Sequence, residues 1–401
     1  MNMRMMTHSW FLLALVSAGC SSTPSTKPPG GRSAWVIEDE LYKSFDYAET
    51  YRIAIKDTRL CFIASLGLDE LWCKNDPMDP ENDTTILEPV QLEGVTTHRA
   101  YHDQTWCGVD DEHAIWCKGA VEFYGLGREG HVDEFERVPT SIEFEKVYVN
   151  ARELCGLDHD GALYCRGFLI DSPGSNDRVL YDDFVPRQQD YRFEMISLTS
   201  PTCGITLEGK LMCWGTLDPN KLARDSSDIE DARAPVELMP GKRFIWVDRQ
   251  CAITDKHELM CWGTDHITDG LFANNAYVDQ ARFQNAETLT TNIDALPRPV
   301  RVLPDEHFVY VTTRDDTRCA LTTKLEAICW GDNNRGQAGL CPVPERDLTG
   351  PYRVPDQRFK SIALGLGFGC GLTLQDEISC WGGINPLTAY KTYRESFIVA
   401  W

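Results

Sequence analysis

Short runs of β-branched and aromatic residues with polar positions between them recur along the chain. They are RFEMISL from Arg192, RFIWVD from Arg243, HFVYVTT from His307 and RFKSIAL from Arg358. Each has the content and length of a β-strand. Behind each run come two cysteines bracketing a short polar stretch, as in CGITLEGKLMCWG, CAITDKHELMCWG, CALTTKLEAICWG and CGLTLQDEISCWG; CGLDHDGALYCRG from Cys155 has the same form. In an antiparallel hairpin, residues whose numbers share a sum face one another. Cys155 and Cys165 share theirs with Leu157 and Leu163, which leaves His159, Asp160 and Gly161 as a three-residue loop. Gly161 then falls where such a loop needs a left-handed residue, and the same alignment places Gly209 in the next loop.

Fourteen cysteines pair in this way: Cys61 with Cys73, Cys107 with Cys117, Cys155 with Cys165, Cys203 with Cys213, Cys251 with Cys261, Cys319 with Cys329 and Cys370 with Cys380. The unit returns about every 48 residues, the mark of an internal repeat. Opposed positions without ladder hydrogen bonds bring Cα atoms to about 4.5 Å, within reach of a disulfide, so the spacing predicts one cross-strand bridge per unit. Zinc would require close Cys-x₂₋₄-Cys knuckles, and no Cys-x-x-Cys occurs. A single four-stranded unit cannot bury both its faces, whereas radial packing of repeats covers them. The expected fold is therefore all-β, a seven-bladed β-propeller over 34–401 with an intra-blade disulfide in each repeat.

The repeat resembles that of the regulator of chromosome condensation family, whose members fold as seven-bladed propellers. The likeness is strongest at CALTTKLEAICWGDNNRGQAGL, Cys319 to Leu340, and spans residues 51–401. Cys-Trp-Gly is kept at Trp214, Trp262, Trp330 and Trp381, while Lys74, Lys118 and Arg166 replace the Trp in the first three units. Gly-Gln-x-Gly survives at Gly336 to Gly339. The resemblance extends to bacterial lipoproteins with a Cys pair in each repeat. The tryptophans are expected to pack between blades. RESFIVAW at the C-terminus, or AWVIE from Ala34, is expected to supply a ring-closing strand.

The N-terminal text MNMRMMTHSWFLLALVSAGC carries one Arg and then an uncharged stretch too short to span a bilayer. It reads as an export signal over 1–19. Ser17, Ala18, Gly19 and Cys20 resemble a bacterial lipobox, which implies lipidation of Cys20. A Ser/Thr/Pro/Gly tether then completes 20–33, able to reach roughly 40 Å at about 3.1 Å per extended residue. Ser21 after the lipidated Cys implies the outer membrane of a Gram-negative bacterium. The expected location is the cell envelope, held by the lipid anchor alone.

Composition narrows the partners. With 39 Lys and Arg against 61 Asp and Glu, the chain has a formal net charge of −22. Such a surface repels phosphates, and no Lys/Arg-rich run offers a local exception, so nucleic acid is excluded. Catalytic text is absent: no G-x-S-x-G, no H-E-x-x-H, no P-loop and no dinucleotide fingerprint, while GLGREG from Gly125 reads as a loop. Asp182 with Asp183, and Asp315 with Asp316, read as solvated carboxylates; His98 and His102 read as surface residues. No cofactor, metal or enzymatic activity is expected. The expected function is protein recognition through a propeller face and its loops, with another exported or surface protein as partner. Two alternatives stand beside it: glycan or peptidoglycan binding by Phe123, Tyr124, Phe272 and Tyr277, and an enzyme site at the central channel. The 265–296 insertion is a candidate binding loop. Cys341 has no partner by the repeat rule.

Overall fold

A computed structural model describes residues 53–56, 59–63, 71–75, 88–90, 99–102, 105–120, 131–150, 152–171, 177–218, 221–222, 231–263, 296–314, 317–333, 336–339, 351–354, 357–365, 367–375, 377–382 and 390–394. Throughout 53–102 and 390–394, and at 120, 131, 133, 134, 296–298 and 377, the description is of the backbone alone.

The strand-like runs and cysteine hairpins fold as the repeat requires. Strands consecutive in sequence form seven four-stranded antiparallel sheets, over 53–90, 99–137, 146–187, 193–238, 244–302, 308–353 and 359–394. The last six are disulfide-bonded blades, one fewer than the seven expected from the repeat count. Their bridges are Cys107–Cys117, Cys155–Cys165, Cys203–Cys213, Cys251–Cys261, Cys319–Cys329 and Cys370–Cys380, with Cα atoms 4.0–4.2 Å apart. The difference lies in the 53–90 sheet, where Cys61 stands opposite Cys73 in register but the side chains are outside the described residues. The sheets at either end of the chain take all four strands from consecutive sequence. The proposed closing strands, at Ala34 and at Phe397 to Trp401, are outside the described residues.

The hairpin geometry follows the shared-sum rule. Cys155 pairs with Cys165 and Leu157 with Leu163. The Gly161 amide donates to the Asp158 carbonyl at 2.9 Å, and Gly161 sits at φ +77°. The left-handed position is not reserved for glycine, however. Its equivalents are His113, Gly209, His257 and Leu325, with φ of 62°, 82°, 62° and 63°.

A repeated bond joins neighbouring blades at this turn. A buried phenylalanine opens each inner segment, and its amide donates to the left-handed residue's carbonyl in the preceding blade. The pairs are Phe144 to His113, Phe193 to Gly161, Phe244 to Gly209, Phe308 to His257 and Phe359 to Leu325, all at 2.8–2.9 Å. The Nδ1 atoms of His113 and His257 lie 3.3 and 2.9 Å from the carbonyls of Phe144 and Phe308, adding a side-chain contact at the same seam. Immediately after the Phe, the strand register slips by one residue in four blades, at Phe193/Met195, Phe244/Trp246, Phe308/Tyr310 and Phe359/Ser361. Such a bulge bends the strand locally and re-aims a side chain. Here it turns the Phe ring into its own blade, over the small residue that follows the first cysteine. A Cβ on Gly371 would lie 2.2 Å from the Phe359 ring, so that blade has room only for glycine there.

The tryptophans close the seams from the other end of the blade. Trp262, Trp330 and Trp381 are fully buried, in a core that runs without interruption from the fourth blade sheet into the last. Trp262 Nε1 donates to the Lys221 carbonyl at 3.0 Å and Trp381 Nε1 to the Gln337 carbonyl at 2.9 Å, both acceptors belonging to the preceding blade. The Gly-Gln-x-Gly segment is shaped for this. Gly336 and Gly339 have φ of 80° and 83°, and the Ala338 amide donates to Asn333 Oδ1 at 2.8 Å, folding the loop so that the Gln337 carbonyl meets the indole.

Candidate functional site

Where Arg166 replaces the seam Trp, the structure changes character. Arg166 is 2% exposed; its Nη2 donates to the Asp182 carbonyl, and its guanidinium lies 5.4 Å from the centre of the Phe184 ring. Burial lowers its pKa, and the nearby Asp183 and Asp182 oppose that fall. The two aspartates therefore support a buried cation, while themselves exposed to solvent. Lys118, the equivalent in the preceding blade, lies 5.3 Å over the Phe135 ring.

Arg166, Asp182 and Phe184 belong to an enlarged hairpin, Leu163–Ile170 with Arg178–Arg187, whose outer strand runs for ten residues. Between this hairpin and the next blade lies a cleft. Its apolar floor is formed by Leu169, Ile196, Leu198, Trp214 and the Cys155–Cys165 bridge. Around it stand Arg178, Arg187 and Arg233, with Glu153 and Gln188. Arg178 Nη1 donates to Glu153 Oε1 and, at 2.8 Å, to the Phe168 carbonyl. Arg187 Nη2 donates to the Ile170 carbonyl at 3.0 Å, and its guanidinium lies 5.6 Å from the Tyr181 ring centre. Arg233 forms a two-pronged pair with Asp231, Nη2 to Oδ2 at 2.9 Å, and reaches across the seam to the Asp171 carbonyl at 2.7 Å. Gln188 Nε2 returns the connection by donating to the Arg233 carbonyl at 2.9 Å.

The electrostatics are those of a partly dry site. Burial pushes the Arg187 guanidinium below the usual arginine range, against the fields of Tyr181, Asp171 and Glu153. A hydrogen bond to Asp171 raises the Tyr181 phenol. The pair with Asp231 raises Arg233, and Arg233 in turn holds the Asp231 carboxyl down.

A second polar centre ties three blades together. Asp248, at the end of Phe244–Asp248, accepts from the Thr313 amide at 2.7 Å and hydroxyl at 3.1 Å in the next blade, and from the Ser197 hydroxyl at 3.3 Å in the preceding one. Burial raises its carboxyl above the ordinary range. It is a structural junction rather than a pocket.

The residues singled out in the sequence divide sharply. The structure brings twelve of the fourteen repeat cysteines into bridges and leaves no free cysteine among the described residues. Cys20, Cys341, His98, Phe123, Tyr124, Phe272, Tyr277, Asp315 and Asp316 lie outside the described residues, as does most of the 265–296 insertion; His102 is described by its backbone alone. Among the described residues no group of three His, Cys, Asp or Glu is arranged to hold a metal ion. The arginine cleft was missed. No Lys/Arg run marks it, because its cations come from positions far apart on two blades.

No known family profile matches the chain, and no curated protein is significantly similar to it in sequence. Solved structures do share its fold. Prp20p from Saccharomyces cerevisiae superposes with a TM-score of 0.58 at 14% identity, over 88% of this chain and 86% of that one. Yeast RCC1 (Prp20) in its structure with Kap60 gives 0.56 at 15%, over 90% and 86%. Human WBSCR16 gives 0.57 at 13%, over 74% and 79%. At these identities the likeness is one of architecture: the chain is an all-β propeller similar to that of the regulator of chromosome condensation.

Proposed function

We propose that the protein is a non-enzymatic binding module of the cell envelope, a seven-bladed ring held to the membrane by lipidated Cys20 and recognising another exported or surface protein. The observation that carries this reading is the arginine-lined cleft between two blades of a frame in which, among the described residues, five seams are joined by Phe-amide bonds. A packed scaffold with a polar opening suits recognition. Prp20p, of like fold, is described with its binding to Gsp1p and histones, and yeast RCC1 in complex with Kap60, so this architecture presents protein-binding surfaces elsewhere. Support for a seventh blade comes from the 53–90 sheet, whose strand Ile53–Lys56 lies against Phe359–Leu364 and Phe368–Thr373 on one side and Arg99–His102 on the other.

The test uses the full chain expressed in a Gram-negative host. A photo-crosslinking residue is placed either at Val179 beside the cleft or at Lys256 on a hairpin tip. The expected result is one crosslinked envelope protein from Val179 and none from Lys256, with Cys20→Ala releasing the protein from the membrane fraction. Equal crosslinking from both sites, or binding to purified cell-wall glycan with no protein adduct, overturns the protein-recognition reading. Retention of Cys20→Ala in membranes overturns the anchor.

A further inference from the structure

We propose that the cleft between the 146–187 and 193–238 blades is a carboxylate-binding site, which takes an acidic side chain of the partner polypeptide. Two features favour an anion. Among the described residues, Arg187 uses a single donor on the Ile170 carbonyl, and Arg178 uses only Nη1, on Glu153 and the Phe168 carbonyl. A guanidinium carries five N–H donors in a planar fork, so each retains donors for a planar acceptor. The anchoring bonds also fix the two forks in advance, which lowers the ordering cost of binding. The desolvated state of the Arg187 charge is relieved when an anion replaces lost water.

Two features select a carboxylate over a phosphate. Glu153, Asp171 and Asp231 already face the three arginines, so the cluster is balanced in charge and a dianion meets three carboxylates at close range. A monoanion adds half that repulsion. The floor of Leu169, Ile196, Leu198 and Trp214 accepts a short methylene stem, which an acidic side chain has and inorganic phosphate lacks. The site is polar at its rim and apolar beneath, the arrangement of small-ligand clefts in general.

This inference rests on the protein-recognition reading for the identity of the bearer, and the experiment separates the two. The full-length protein is titrated by calorimetry with N-acetyl-glutamate amide, with the neutral N-acetyl-glutamine amide and with inorganic phosphate. Saturable binding of the glutamate probe is expected, with at least tenfold weaker binding of the glutamine probe and of phosphate. Arg187→Gln is expected to weaken the glutamate probe at least fivefold. Arg187→Lys, which keeps the charge and loses the fork, is expected to fall between, and it carries the comparison if Arg187→Gln does not fold. Absence of saturable binding, equal affinity in the variants, or tighter binding of phosphate overturns the carboxylate site. If wild type and Arg187→Lys form the same envelope adduct from Val179 while no probe binds, the recognition module stands and the carboxylate site falls.

Discussion

In the last blade the residue after the second cysteine is Trp381, 1% exposed, with its one N–H bonded to the neighbouring Gln337 carbonyl. In the 146–187 blade the same position is Arg166, 2% exposed, carrying a charge and five donors. The first solution is self-contained: a large apolar surface and a single polar atom, satisfied by one loop. The second needs local support, and the extended strand Arg178–Arg187 supplies it, through the Asp182 carbonyl, the Phe184 ring and the two aspartates. The cleft sits beside that support. The exchange changes how one blade is supported from within; the cleft lies at the seam with the following blade, where Trp214 is kept and lines it.

The comparison can be broken most forcefully at the tryptophan. Trp381→Ala is expected to cost about 3–5 kcal/mol in denaturant unfolding, the range for a buried aromatic truncated to alanine. A loss under about 1 kcal/mol would mean that the indole does not seal the seam. Next in size are the bridges. Replacing Cys370 and Cys380 together by Ala is expected to remove about 2–3 kcal/mol by the chain-entropy argument, and the equivalent change at Cys155 and Cys165 should cost a similar amount. A clear inequality between the two would show that the blades do not share one reference state.

Asp248 allows a titration. Its carboxyl is raised in the folded protein, so the native state holds that proton more tightly than the unfolded chain does. Its contribution therefore favours folding most below the ordinary carboxylate range and declines as pH rises towards the folded pKa, by at most about 1.4 kcal/mol per pH unit. Thermal unfolding of wild type and Asp248→Asn from acid to neutral pH should show the wild type losing ground to the variant. Parallel curves would contradict it. Arg166→Met sharpens the contrast with Trp381: exchanging a buried cation for an apolar side chain of similar length is expected to change stability by less than about 1.5 kcal/mol in either direction. The smallest effect belongs to Lys146→Ala, which removes a 2.8 Å pair with the exposed Glu194 across a blade boundary and should cost under about 1 kcal/mol. Added salt should erase it.

The strands, the hairpin register and the cross-strand bridges were legible because they rest on local spacing: a shared residue sum fixes which cysteine faces which. The seam tryptophans were legible for the same reason, since their position relative to the second cysteine does not vary. Three things were hidden. His113, His257 and Leu325 occupy the left-handed turn position without the glycine that announces it, two of them with an imidazole contact to the next blade's carbonyl. The bulges after Phe193, Phe244, Phe308 and Phe359 leave no compositional trace. The cleft depends on Arg178, Arg187 and Arg233, and no period in the chain relates Arg233, on the neighbouring blade, to the other two.

The phenylalanine bonds carry a consequence for biogenesis. In every observed case the acceptor carbonyl lies upstream of the donor: His113 before Phe144, Gly161 before Phe193, Gly209 before Phe244, His257 before Phe308, Leu325 before Phe359. A chain emerging from its N-terminus thus meets each docking point already made. Growth of the ring can follow the direction of synthesis, with no segment waiting for a distant partner until the final closure.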